Sequence, residues 1–400
     1  MSSHLPLSGI RIADFSWVIA GPRCTEWLGA MGAEVIKVES RLRPDRLRSS
    51  EPFIDGAASL ETSVSFNMLN YSKKSCTINL AAPQGRSLAR QLIASCDVVI
   101  ENFSSDAARK MGLTYEQLRE ANPALIVVSC SGLGRTGPSA EMRAFGKSIH
   151  AFSGLTLLTG WPGTPPRGVG TTWTDPLMGS VAVLAILAGI AHLRRTGEGV
   201  YFDLSMAETT MAVMAEAFLA DDELSPGPQP RGNEDPEASL HDTYVCADGQ
   251  WIAVTPHGEP ERSSLYEVIR RATEVPAPAR PGKDDSSELD HDLRAWCAER
   301  PAEECLAMLA AATVCAAPVL SFDALRSDPH VVQRALMAQL ERPGGGEFIA
   351  PKLPWVQTPD PGFRYTPHGA FGQDNDYVFR EILGLSTQDI AALTGNSVLA

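Results

Sequence analysis

Residues 169–199, VGTTWTDPLMGSVAVLAILAGIAHLRRTGEG, form one of the most apolar stretches of the chain, and one carboxylate, Asp175, stands at its entrance. A carboxylate can act as a covalent nucleophile that splits one difficult acyl transfer into easier steps. At a helix N-terminus, the dipole and the free N–H groups favour its ionised form. Asp-Pro is also a good helix start, with Asp as N-cap and Pro176 at the first helical position. The residue types alone leave both roles open. Gly179, one turn on, would leave space beside the carboxylate.

Other motifs narrow the chemistry by failing. GLGRTG (132–137) has dinucleotide-loop spacing, but Pro138 follows at once and the motif closes a late strand. It reads as a Gly-rich turn that can border a ligand crevice. GKS (146–148) lacks the first glycine of a P-loop, because Glu141 stands there. No G-x-S-x-G or H-E-x-x-H occurs, and no Cys/His cluster is visible in the spacing. His150 and His192 sit on apolar segments and read as core residues. The eight cysteines form no C-x-x-C pair and several lie in apolar runs. They read as reduced buried thiols of a cytoplasmic protein, with no metal expected.

The net charge of -14, from 34 basic and 48 acidic residues, repels nucleic acid and anionic membrane. Any anionic ligand must therefore meet a local basic site. No signal-peptide core stands at the N-terminus, and Pro176–Ala191 reads as too short to span a bilayer. A buried helix is expected there.

Apolar β-branched runs alternate with helix-period segments. Strands are expected at 9–14, 34–39, 76–80, 97–102, 125–130 and 200–205. Helices are expected after 20 and over 84–95, near 114–121, from Asp175 and near 206–221. That rhythm predicts an α/β fold with a mostly parallel sheet covered on both faces. A Pro- and acid-rich linker over 223–240 separates the first part of a large domain (1–222) from a smaller α+β domain (241–341). The smaller domain should carry a hairpin turning at Asp248-Gly249, a helix over 261–272, a polar gap over 276–288 and Ala-rich helices over 289–313. A C-terminal segment (342–400) ends in an amphipathic helix that Ser386 can cap.

The block LSGIRIADFSWVIAGPRCTEWLGAMGAEVIKVE resembles the opening of class III CoA-transferases. That family also holds carnitine and formyl CoA-transferases and 2-methylacyl-CoA racemases. The resemblance continues through NYSKKSCTINLAAPQGR, CDVVIENFSSDAARKMGLTYEQL, RTGEGVYFDLSMAE and EILGLSTQDIAAL, nearly the whole chain. It implies a Rossmann-like large domain to which the C-terminal segment returns, and an interlocked homodimer. It also implies coenzyme A and acyl-CoA as substrates, with no permanent cofactor, and a carboxylic acid as acceptor.

In such transferases an aspartate matching Asp175 forms an anhydride with the acyl group and then an aspartyl-CoA thioester. The resemblance places Val18, Ile19 and Ala20 along the pantetheine and thiol end. It places Asn102, Phe103, Ser104 and Met111 against CoA, and Arg41, Arg109 and Lys110 near its phosphates. Trp17, Phe145 and Trp173 would wall an acyl pocket, although Trp17 and Trp173 suit a core equally well. Formyl-specific members carry Gln where this chain has Ile19. Racemases carry His where it has Phe145, and Phe cannot exchange a proton. Transfer of CoA between carboxylic acids is the expected activity. A racemase and a non-catalytic CoA-binding protein are the alternatives.

Overall fold

The computed structural model describes residues 5–217, 219, 229–235, 238, 240–273 and 286–399. Half of the expected linker, most of the polar gap over 276–288 and the end of the helix near 206–221 lie outside these residues. The chain divides into two compact units. One comprises Met1–Thr156, Gly168–Ser225 and Ala335–Ala400, the other Leu157–Arg167 and Pro226–Arg334.

The larger unit is built on six parallel strands: β1 (Arg11–Asp14), β2 (Glu34–Glu39), β3 (Lys73–Thr77), β4 (Val98–Glu101), β5 (Ile126–Ser131) and β6 (Tyr201–Ser205). Their order is β3-β2-β1-β4-β5-β6. The chain winds outward from β1 in one direction and returns to lay β4 against its other side, so the switch point lies between β1 and β4. The strands are apolar nearly throughout because helices cover both faces. One core layer holds Ile12, Leu28, Val98, Ile126, Met178 and Ile186, and the other Ala13, Ile36, Leu92, Val99, Val127 and Phe379.

β3 lies three residues earlier than expected. Lys73 and Lys74 read as polar flank, yet Lys73 is buried. Its ammonium donates to Asp14 Oδ2 (3.1 Å), Pro22 O (3.0 Å) and Asn70 Oδ1 (2.9 Å). Lys37 in β2 is likewise buried and donates to Ser16 O at 2.7 Å, with Asp45 Oδ2 at 3.3 Å. These ions compensate one another, which is the condition for burying charge at all. The exposed edge of β3 is covered by the C-terminal segment. Ser75 N donates to Asp374 Oδ2 (2.7 Å) and Asn79 N to Val398 O (2.8 Å).

The helix Thr174–Thr196 has 23 residues, and its most apolar 18-residue window reaches a mean hydropathy of 2.0. By length and composition it is long enough to cross a membrane, contrary to the expectation from the shorter run. In the structure, Met178, Ala182, Ile186 and Ile190 lie in the core shared with β1, β4 and β5. Gly179 seats the crossing with the helix Ala20–Ala30: a Cβ there would lie 2.8 Å from Ala20 O and 2.7 Å from Arg23 Cγ. The space expected beside the carboxylate is therefore taken up by helix packing.

The smaller unit has an antiparallel sheet of β7 (Asp242–Val245), β8 (Trp251–Val254) and β9 (Ala316–Pro318), with helices Gly258–Thr273, Ser286–Ala298 and Ala302–Ala311. Gly249, at φ +77°, makes the expected turn. Its core centres on Tyr244, Leu265, Trp296 and Leu309. This unit ends at Arg334 rather than 341. The hairpin β10 (Met337–Glu341) and β11 (Glu347–Pro351) buries Ala338, Leu340, Phe348 and Ala350 in the core of the larger unit. The last helix, Thr387–Gly395, is capped by Ser386, whose Oγ accepts from Asp389 N at 3.1 Å.

Candidate active site

A cleft of about 720 Å³ opens at the carboxyl ends of β1, β2, β4 and β5, over the switch point. It lies wholly within the larger unit. Two loops form its centre. After β1, Trp17 and Val18 turn the chain into helix Ala20–Ala30; after β4, Asn102 and Phe103 lead into the helix Ser105–Met111.

Asn102 ties the loops together. Its Oδ1 accepts from Trp17 N (2.8 Å) and its Nδ2 donates to Trp17 O (2.7 Å). The Trp17 and Phe103 rings meet edge to face at 5.2 Å. Val18 sits at φ +66°, a left-handed conformation that costs a β-branched residue about 1–3 kcal/mol. It is held by buried Asp45, whose carboxylate accepts from Val18 N at 3.1 Å and from Leu47 N at 3.0 Å.

Asp45 sits within a basic run, Arg41 to Arg48. Arg48 is buried, grips Glu39 with two hydrogen bonds (2.9 and 2.7 Å), and lies between the Phe66 and Phe371 rings. With its flanks locked, this turn presents Arg43 and Arg46 to the cleft. Arg43 lies over Trp17 (5.5 Å) and Arg46 over Phe145 (5.9 Å).

The opposite wall comes from the segment after β5 and from the long apolar helix. GLGRTG is a turn, as expected: Gly134 and Gly137 take positive φ. Arg135 N donates to Asp203 (2.9 Å), and its guanidinium pairs with buried Glu101. Gly132 borders the cleft.

Asp175 also lines the cleft. It lies inside the first turn of its helix, whose N-cap position is Trp173, so it is not the cap. Its Oδ2 lies against Gly146, where an added Cβ would stand only 2.3 Å away. Burial pushes its carboxyl up to about 6, although its own backbone N–H pulls the other way. The helix terminus therefore does not hold the carboxylate at an ordinary value. A side chain with that pKa is still mostly ionised at pH 7, and it is more basic than a free aspartate.

Of the residues singled out from the sequence, the cleft is lined by Trp17, Val18, Phe145 and Asp175, and by Asn102, Phe103, Ser104, Lys110 and Met111 along β4 and its helix. It does not gather Ile19, Ala20, Arg41, Arg109 or Trp173. Ile19 packs on Leu47, Phe66 and Leu69, and Ala20 is buried in the first turn of its helix. Arg41 donates to Phe371 O at 2.5 Å, and Arg109 pairs with Glu141 at 3.2 Å. Lys110 contacts Asp106 at 2.7 Å in an exposed pair, which costs little to open.

Sequence reading missed Arg43, Arg46, Arg86 and Arg143, all in the cleft. Arg43 and Arg46 had a visible signal, four arginines within eight residues. They supply the local basic site that the acidic composition demanded. The absence of a cysteine cluster also needs correcting. Cys246, Cys297 and Cys305 converge in the smaller unit with sulfurs within 4.8 Å of one another. They come from a hairpin and two helices, so no sequence spacing revealed them. Burial raises all three thiols, which suits neutral packing.

A parallel sheet with a basic-rimmed cleft at its switch point defines an α/β protein built to hold an anionic ligand there. The sequence profile of CoA-transferase family III matches residues 7–375. The chain is 30% identical to succinyl-CoA--D-citramalate CoA-transferase of Chloroflexus aurantiacus, covering 98% of each chain. It is 31% identical to succinate--glutarate CoA-transferase of Agrobacterium fabrum, over 94% of this chain and 96% of that one. A CaiB/BaiF family protein from Brucella suis superposes with a TM-score of 0.83 at 26% identity, over 94% of this chain and 99% of that one. Rv3272 from Mycobacterium tuberculosis shares the fold, with a TM-score of 0.76, 23% identity and coverage of 94% and 99%. The chain belongs to CoA-transferase family III. It is a CoA-transferase, moving CoA from an acyl-CoA to a carboxylic acid.

Proposed function

We propose that Asp175 is the nucleophile of this transfer, that succinyl-CoA is the donor and that small dicarboxylic acids are the acceptors. The observation that carries the catalytic assignment is the Asp175 carboxylate. It is half-buried in the cleft, uncommitted to capping and raised to about 6. The relatives' names, which pair succinyl-CoA or succinate with citramalate and glutarate, support the choice of acids.

A carboxylate oxygen of Asp175 attacks the thioester carbonyl. The C–S bond breaks, CoA leaves as thiolate, and an anhydride joins Asp175 to the donor acid. The thiolate then attacks the Asp175 carbonyl carbon; the anhydride C–O bond breaks and the donor carboxylate departs. The acceptor carboxylate attacks the carbonyl carbon of the resulting aspartyl-CoA thioester; the C–S bond breaks, thiolate leaves and a second anhydride forms. The thiolate then attacks the acceptor's carbonyl carbon, and the anhydride C–O bond breaks to release the acceptor's CoA thioester and restore the Asp175 carboxylate. No proton needs to move, so a cleft without a histidine suffices. Lys110, Arg86 and Arg143 supply positive charge for the CoA phosphates.

Racemisation finds no support. Phe145 carries no exchangeable proton, and His150 is buried away from the cleft. We also propose that a second copy of the chain covers the exposed apolar residues Leu184 and Leu187 of the Asp175 helix, as an interlocked homodimer would. The eight free thiols support a cytoplasmic location. The test is incubation with succinyl-CoA followed by peptide mass spectrometry. CoA esterified at Asp175, and hydroxamate at Asp175 after hydroxylamine, are expected. Labelling at another carboxylate would refute the assignment.

A further inference from the structure

Transfer between dicarboxylic acids poses a recognition problem that Asp175 does not solve. One carboxyl of the substrate is consumed in the chemistry, and the other must be held. The reading above supplies the reaction on which this inference rests. We propose that Arg46 receives the distal carboxylate and so sets a preference for dicarboxylic over monocarboxylic acids.

Three observations lead to Arg46. First, it stands at the reacting end of the cleft. Its guanidinium lies over the Phe145 ring, and Phe145 directly precedes Gly146, against which Asp175 Oδ2 rests. Arg46 and Asp175 thus flank one short segment of chain. Second, the contacts of the other cleft cations lie on segments other than the one against Asp175. Lys110 is paired with Asp106, and Arg143 lies near enough to Asp106 to lower that carboxyl. Arg86 donates to the carbonyls of Leu80 (3.1 Å) and Ala81 (3.0 Å), and Arg43 lies over Trp17. Arg46, like Arg43, Arg86 and Arg143, forms no ion pair among the described residues, and its ring contact is with Phe145.

Third, the backbone beneath Arg46 is fixed. Residues Arg46–Ser49 form one turn capped by buried Asp45, and the next two side chains, Leu47 and Arg48, are buried. A guanidinium on a fixed turn, laid over a ring and not paired with an acid, can offer its planar fork to an incoming carboxylate. The aromatic ring would order the guanidinium without neutralising it.

The test is competition between glutarate and valerate for one donor, succinyl-CoA, so that effects on the donor cancel. Both acids have five carbons, and only glutarate has a second carboxylate. In Arg46→Met the glutarate-to-valerate ratio of kcat/KM is expected to fall on the order of 10- to 100-fold. Arg46→Lys should restore part of it. A merely structural role would depress both acids together and leave the ratio in place. An unchanged ratio, or a ratio that moves in Arg43→Met and not in Arg46→Met, overturns the assignment. So does a rise in KM for CoA thioesters alone, which would make Arg46 a phosphate contact. Those failures leave the transferase reading intact, whereas a wild-type enzyme inactive with every acid would remove that reading itself.

Discussion

Replacing Asp175 by Asn separates what the carboxylate does for the reaction from what it costs the fold. Burial raises this carboxyl from an ordinary 3.8 to about 6. A raised acid favours the folded state while it is protonated, and that contribution is lost as pH climbs through the folded value. The wild type therefore carries a penalty at pH 8 that is absent at pH 4. Two units correspond to about 3 kcal/mol, and the cleft is open to water, so about 1–2 kcal/mol is expected. Asn is nearly isosteric and stays neutral. Asp175→Asn should match the wild type in urea melts at pH 4 and exceed it by about 1–2 kcal/mol at pH 8. Over the same range, wild-type transfer should rise along an acid limb with an apparent pKa near 6, while the variant loses at least about 10³-fold in kcat. If Asp175→Asn were no more stable than wild type at pH 8, the carboxylate would not be paying a burial penalty. The account of its basicity would then fail.

Gly146→Ala would place a methyl group on the Asp175 carboxylate and displace it. A fall in kcat of about 10- to 100-fold is expected, with little change in KM for the acyl-CoA, measured by steady-state kinetics. Lys73→Met removes a fully buried ammonium from Asp14, whose carboxyl is lowered to about 2 by Lys73 and Lys37 together. Chemical denaturation at pH 7 should show a loss of about 3–5 kcal/mol. The stabilisation that the wild type loses as pH falls from 3.8 towards 2 should shrink in that variant. Native thiol titration should label Cys315 rapidly and the seven buried cysteines slowly, with all eight reacting once the protein unfolds.

Particular residues show how far sequence could reach. The parallel sheet was legible because both faces of each central strand are buried, which leaves uninterrupted apolar runs such as LIVVSC. The site was legible through the resemblance, which singled out Trp17, Val18, Asn102 and Phe103; the cleft contains all four because they follow β1 and β4. It was not legible where it depends on pairing. Lys37 and Lys73 look like solvent-facing strand residues until Asp14 and Asp45 are seen beside them. Reading Lys73 and Lys74 as polar flank shifted the expected β3 by three positions. The helices Val64–Asn70 and Ser105–Met111 were missed because seven residues carry too little periodicity. Whether Asp175 caps its helix turned on a single position in the helix start, which propensity does not resolve.

Gly179 joins two parts of the cleft. The helix that carries Asp175 crosses the helix that begins directly after Trp17 and Val18, and they meet with almost no clearance at that glycine. Asp175 and the β1 loop consequently share one rigid mounting, and neither can approach the other to grip a substrate. Any tightening around a smaller acid must come from the segment bearing Phe145, which meets Asp175 at Gly146 and is not part of that helix crossing. Variation in acid size among enzymes of this design should then be sought in residues 138–145, and the helix crossing should change little.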